Sequence, residues 1–438
     1  MKGCAQKMVI KISKTIENIQ QYSQPFHDIE DLNGLIEKAS KAKYILLGEA
    51  THGTAEFYTI RGEIRKKLIQ DHGFTFIAVE GDWPSCYEVN QYVKGHSNYS
   101  HAREVLSQFH RWPAWMWANE EIIPLIEWLK AYNLDKKEED KVGFYGIDVY
   151  SLWESMETIV AYLQKINSPD LDKAMQAITC FHPYNKRPEQ YGMSAAFLGE
   201  SCREEVLELL NSIVSKRRKY MEEDKESYLN LQINGLVSKN AEAYYKAMVT
   251  DDIESWNIRD YHMVEALEIV SQFYGKAAKG IVWEHNTHIG DARATSMEQE
   301  GLVNVGQITR EKFGEPNVYA VGFGTYGGTV IAAEKWGDRY KIMDIPPAQL
   351  NSWEELLHRA GSFNKYLTFT EENRYFFEHT IGHRAIGVIY EAAYEHYGNY
   401  VPSKVSVRYD GFIYVDQSKA VTPIAFSNEG ETRLAKDT

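Results

Sequence analysis

Short apolar runs that end in ionisable residues constrain this chain more than any other feature. Tyr44-Ile45-Leu46-Leu47, Phe76-Ile77-Ala78-Val79, Val142-Gly143-Phe144-Tyr145 and Gly280-Ile281-Val282-Trp283 are too short for helices and read as buried strands. Helical patterns separate them. Phe57, Ile60, Ile64 and Leu68 follow a 3-4-4 spacing that stops near Gly73, and Pro84 falls where a first helical turn accepts it. Such alternation implies right-handed crossovers and a parallel sheet. Further strands are expected at Val318–Val321, Ala385–Tyr390 and Phe412–Val415, with the glycine-rich Gly322–Gly328 stretch read as a tight turn.

Between these groups the character changes. Val206, Leu209, Leu210 and Ile213 form one amphipathic stripe, and Leu229, Ile233, Leu236, Val237 and Tyr244 another. The Lys216–Lys219 basic cluster before Glu222-Glu223-Asp224 reads as a solvated helix end and turn. The fold class expected is therefore α/β: a mainly parallel sheet flanked by helices, with an inserted helical lobe. Residues 1–150 would form an N-terminal α/β part, 151–278 the lobe, 279–426 the part that completes the core, and 427–438 a disordered tail. The segment holding Tyr390, Tyr394 and Tyr397 reads as a tyrosine-rich helix facing the core.

Composition removes several function classes. With 48 basic and 62 acidic residues the net charge is −14, the wrong sign for a nucleic-acid binder or a clamp on anionic membranes. No run approaches the ~20 apolar residues that span a bilayer, and the N-terminal stretch lacks the apolar core of a secretory signal. Cys4, Cys86, Cys180 and Cys202 include no C-x-x-C pair and read as reduced thiols, so a cytoplasmic location is expected.

The positions of the polar residues point to function. The first strand runs into Gly48-Glu49-Ala50-Thr51-His52-Gly53, the second into Glu80-Gly81-Asp82-Trp83, the third into Gly146-Ile147-Asp148, and the fourth into Glu284-His285-Asn286-Thr287-His288. In open α/β sheets ligands bind at the carboxyl ends of the strands. Glu49, His52, Glu80, Asp82, Asp148, Glu284, His285 and His288 would converge on that rim. Gly48, Gly53 and Gly290 would allow the close approach that tight loops need. On a later helix, Trp256, Met263, Leu267 and Val270 make a stripe whose gap falls on Arg259 or Asp260. A buried Arg259 needs an acidic partner, and so does Arg61 on the helix after His52.

No G-x-S-x-G elbow, P-loop or strand-following G-x-G-x-x-G occurs. Two mechanisms fit the rim. In one, His52 is a general base on water, with Glu80 or Glu49 as partner, and His285, His288 or an arginine stabilises the oxyanion. In the other, His52, His285, His288 and a carboxylate such as Glu80 hold a divalent metal that activates the water.

Taken together, these motifs resemble the erythromycin esterase family. The resemblance is carried by Gly48–Thr54 with Glu56, Phe57 and Arg61, by Val79–Trp83, Trp128-Leu129 and Gly146–Ser151, and by Trp256–Asp260 and Glu284–His288. Arg384–Gly387 and Arg408-Tyr409-Asp410 extend it, so that it spans residues from about 40 to 420. It implies a carboxylic ester hydrolase that opens a macrolactone with water and without an acyl-enzyme, an activity tied to antibiotic resistance. His52, Glu49, Glu80, His285 and His288 would be catalytic, and Arg61, Arg259, Asp82 and Glu284 would bind substrate or the oxyanion. No cofactor is expected, with a divalent metal as the alternative. The partner expected is a small-molecule ester or lactone, with no nucleic acid and no membrane. Relatives labelled for succinoglycan biosynthesis widen the substrate range to acylated polysaccharide precursors. A metal- or haem-binding role for the same rim is the competing reading. The Trp112–Trp117 segment and the lobe would shape the pocket.

Overall fold

The computed structural model describes residues 2–424; the tail expected at 427–438 lies outside them. A central sheet dominates. Its parallel run is Gly411–Ser418, Val318–Ala332, Tyr44–Leu47, Gly280–Trp283, Phe76–Asp82 and Gly143–Asp148, in that spatial order. Lys365–Thr368 and the two-residue edge Gln24-Pro25 extend it antiparallel on one side, and Lys341–Ile345 pairs antiparallel with the long strand Val318–Ala332. The fold is thus α/β with a mainly parallel sheet, as the strand–helix alternation implies.

Burial on both faces explains why these strands are continuously apolar rather than alternating. Tyr44 and Leu46 join one core with the lobe helices, while Ile45 and Leu47 join the other with the helices Ala55–His72 and Ile123–Asn133. The helix Ala55–His72 ends on Gly73 at φ 69°, the left-handed cap its position predicts. Pro84 sits in the first turn of the helix Trp83–Lys94. From Leu152 to Tyr274 the chain is helical, and its two longest helices, Lys225–Met248 and Asp252–Tyr274, pack against each other. No helix of the described residues is long and apolar enough to cross a membrane.

Several expectations are corrected. Ala385–Tyr390 is not a strand; only Ile386 and Ile389 make isolated bridges, to Thr51 and Ala333 just past the ends of the strands Tyr44–Leu47 and Val318–Ala332. Gly322–Gly328 is not a turn but the middle of the strand Val318–Ala332, where the glycines leave room for Tyr409 and Phe412. Tyr390 is buried but Tyr394 and Tyr397 are exposed, on two short helical turns rather than one core helix. The basic cluster after Ser215 continues into a short helix, Arg217–Glu223, before Asp224 caps the next one. Cys180 and Cys202 form a disulfide, while Cys86 is free and buried. Neighbouring lobe helices bring the pair together across 22 residues of sequence, a separation that carries no signal. The bond removes the thiol argument for a reducing compartment.

Candidate active site

The chain leaves Tyr44–Leu47 in one direction along the sheet and later returns through Gly280–Trp283 before continuing in the other. This reversal makes a crevice at the strand ends, the place where α/β sheets bind ligands. A cavity of about 360 Å³ opens there, with His52, Glu80, Asp82, Asp148, Arg259, His285 and His288 among its lining residues.

Two glycines shape the first loop by proximity. A Cβ on Gly48 would lie 2.1 Å from Asn286 Oδ1, and one on Gly53 would lie 2.1 Å from the Ile331 carbonyl oxygen. The loop therefore packs directly on the helical turn Asn286–Ile289 and on the strand Val318–Ala332, and turns His52 toward the cavity. The second strand is interrupted between Val79 and Asp82, where its register against Gly143–Asp148 shifts. Such a bulge re-aims the side chain it carries, and Glu80 is that side chain.

Glu49 lies behind His52 and does not line the cavity. His52 Nδ1–H donates to Glu49 Oε1 at 2.8 Å, and Arg61 donates to the other carboxylate oxygen. Burial opposes the Glu49 charge, but Arg61 and His52 outweigh it and hold the carboxyl at about 2. With Nδ1 committed, His52 Nε2 is the free nitrogen, 4.0 Å from Glu80 Oε1. Burial pulls the His52 pKa down, but Glu80 and Glu49 prevail and raise it above its ordinary value.

Glu80 joins three groups. It accepts the His285 backbone N–H at 2.8 Å and Arg259 Nη2 at 2.7 Å, and lies 3.6 Å from His288 Nε2. Burial opposes its charge, yet the Arg259 guanidinium and the His285 backbone N–H hold its carboxyl far below the usual range. Arg259 also forks onto Asp148 at 2.9 and 2.7 Å and donates Nη1 to His288 Nε2 at 3.0 Å. A guanidinium can only donate, so His288 Nε2 is the acceptor and its Nδ1–H points to Asp260, 2.9 Å away. Trp256 stacks on the His288 ring at 4.6 Å. Trp256, Arg259 and Asp260 thus face the site together from one helix, at i, i+3 and i+4.

His285 differs from the other histidines. Its Nδ1 accepts from the Thr287 backbone N–H at 3.3 Å and lies 2.8 Å from Thr287 Oγ1. Its proton is therefore on Nε2, which is buried and has no acceptor among the described residues. Burial and the nearby His52 push its pKa down to about 3, so the ring is neutral. The His52 and His285 rings are 4.9 Å apart. A neutral N–H donor thus stands beside a basic imidazole at the cavity floor.

Not every expected residue lines the cavity. Arg61 acts through Glu49 from behind. Glu284, expected at the substrate, is buried away from the cavity with both oxygens unpartnered among the described residues. Successive side chains on an extended segment point to opposite faces, so His285 and Glu284 cannot both face the cavity. Burial, then Glu80 and Asp260, push the Glu284 carboxyl well above its ordinary value. Among the described residues no group of three or more His, Cys, Asp or Glu is arranged to hold a metal ion. The Arg259 guanidinium occupies the His288 lone pair and a Glu80 oxygen that such a set would need.

The cavity also has residues that the strand-end argument missed. Arg111 forks onto Asp82 at 2.5 Å, and Tyr150 has Arg111 and Arg259 guanidinium carbons each 4.9 Å from its ring. Trp112 meets Trp336, from a hairpin over 200 residues later, with ring centres 4.5 Å apart at the mouth. Arg111 directly precedes the aromatic segment already noted, which could have exposed it; Trp336 carries no local signal.

The chain resembles proteins of known fold along nearly its whole length. A crystal structure of a succinoglycan biosynthesis protein superposes with a TM-score of 0.76 at 19% identity, covering 94% of this chain and 98% of that one. A mutant erythromycin esterase, EreC, in its open conformation, gives 0.65 at 15% identity over 92% and 98%. In sequence, a putative hydrolase, YbfO, of Bacillus subtilis (strain 168) is 21% identical over 92% of this chain and 90% of its own length. Erythromycin esterase type II of Escherichia coli is also 21% identical, over 79% and 85%. The erythromycin esterase family model matches residues 69–418, beginning after His52, so the place of that residue in the site comes from the structure. A match over that span supports a hydrolase, and the chain belongs to the erythromycin esterase family.

Proposed function

We propose that this hydrolase cleaves an ester or lactone in a bulky, largely apolar substrate, with water activated by His52 and without an acyl-enzyme or a metal. The observation that carries the reading is His52 in the cavity lining, held from behind by Glu49, beside the unpartnered His285 Nε2–H. His52 Nε2 takes a proton from water as the water oxygen attacks the carbonyl carbon. The imidazolium that forms is stabilised by Glu49 and Glu80, the same groups that raise its pKa. His285 Nε2–H donates to the developing oxyanion. Collapse of the tetrahedral intermediate breaks the carbon–oxygen bond, and the leaving alkoxide takes the proton back from His52. Phe109, Trp112, Met116, Trp117 and Trp336 supply the apolar wall for the substrate. The family supports a macrolide lactone as the first substrate to try and acylated saccharides as the next.

The test is hydrolysis of a macrolide lactone and a simple activated ester by wild type and His52→Ala, with and without chelator. Turnover of either substrate by wild type alone, unchanged by chelator, is expected. A His52→Ala protein that turns over normally, or chelator-sensitive turnover, would overturn the mechanism.

A further inference from the structure

Arg61 and Arg65 lie one turn apart on the helix Ala55–His72, and both are fully buried. Their guanidinium carbons sit 4.0 and 3.8 Å from the ring centre of the same tryptophan, Trp283. Arg61 is balanced by Glu49. Arg65 is not: its Nε, Nη1 and Nη2 are all buried, and none has an acceptor among the described residues. Arg61 Nη1 is likewise buried and without one. An arginine keeps its charge in the interior, and a buried charge without a counter-charge is strongly disfavoured. The face of Trp283 compensates only part of it.

The same helix also has room. Gly62 is buried, three residues before Arg65 and therefore on a neighbouring face. A Cβ built on it meets no atom within 4 Å, its own helix backbone and chain neighbours aside. Buried guanidinium donors without acceptors thus lie within one helical turn of a position with open space beside it.

We infer that the protein binds a small monovalent anion of halide size at Arg65, in the core behind the Glu49–His52 pair. One negative charge balances the second guanidinium. Aromatic surroundings favour a compact, weakly hydrated ion over a phosphate, whose hydration is costly to remove. The site is separate from the cavity, since neither Arg65 nor Gly62 lines it. The inference does not depend on the proposed hydrolysis.

The test uses the full-length protein dialysed into sodium gluconate, with chloride or bromide substituted at constant ionic strength during thermal unfolding. Binding to the folded state alone predicts a saturable rise in Tm of roughly 2 °C or more. Arg65→Met should lose that halide dependence. Crystals grown in bromide give a second measurement that needs no variant: an anomalous peak beside the Arg65 guanidinium is expected. A wild-type Tm indifferent to halide, a dependence that survives in Arg65→Met, or no bromide peak at Arg65 would each overturn the inference.

Discussion

His52 works as a base only when its ring is neutral, and its neighbours decide at what pH that holds. Glu80 and Glu49 raise its pKa above 6.5 against the pull of burial. The protonated ring cannot accept a proton from water, so hydrolysis should fall as pH drops through that raised value. The acid limb of kcat/KM is therefore expected above pH 6.5 and should move down in Glu80→Gln, which removes the first of those two charges; a limb that stays in place would exclude His52 as its source. His285 contributes no limb near neutrality, because its pKa is pushed down to about 3. His285→Ala should instead lower kcat by about 10²–10³-fold across the whole pH range, the usual loss of one oxyanion donor, with steady-state kinetics as the check. Residue types at the strand ends were readable in the sequence because each follows an apolar run directly. Which of two adjacent residues faces the cavity was not, as Glu284 and His285 show.

At the scale of the element, the site depends on two backbone irregularities and one helix face. The bulge at Glu80 and the close packing of the Gly48–Gly53 loop aim the side chains, while Trp256, Arg259 and Asp260 arrive together from the helix Asp252–Tyr274. Gly53→Ala places a methyl group against the Ile331 carbonyl, so it should destabilise the fold by about 1–3 kcal/mol, the range for overpacking, measured by chemical denaturation. Unchanged stability would mean that the loop can move away from the strand. Helix spacing made the Arg259 side of this arrangement legible, since an arginine in the gap of an apolar stripe needs a partner. The identity of the partners, Asp148 and Glu80, comes from two other strands and could not be read locally.

For the whole molecule, the lobe is fastened by a bond that no sequence pattern announced. Cys180→Ser combined with Cys202→Ser should cost up to about 3 kcal/mol, the loop-closure contribution for a loop of this order, while leaving kcat unchanged. Denaturant unfolding with and without reductant would show it, and equal stability in both would mean that the bond contributes nothing. The sequence by itself determined the parallel α/β core, the helical character of the lobe and the acid- and histidine-rich rim, because periodicity and strand-end position are local properties of the chain. Tertiary structure alone decided the cysteine pairing, the meeting of Trp112 with Trp336, the withdrawal of Glu284 from the cavity and the isolation of Arg65. Each of these depends on which distant segments share a neighbourhood. That is set by how the sheet orders its strands, not by the residues on either side.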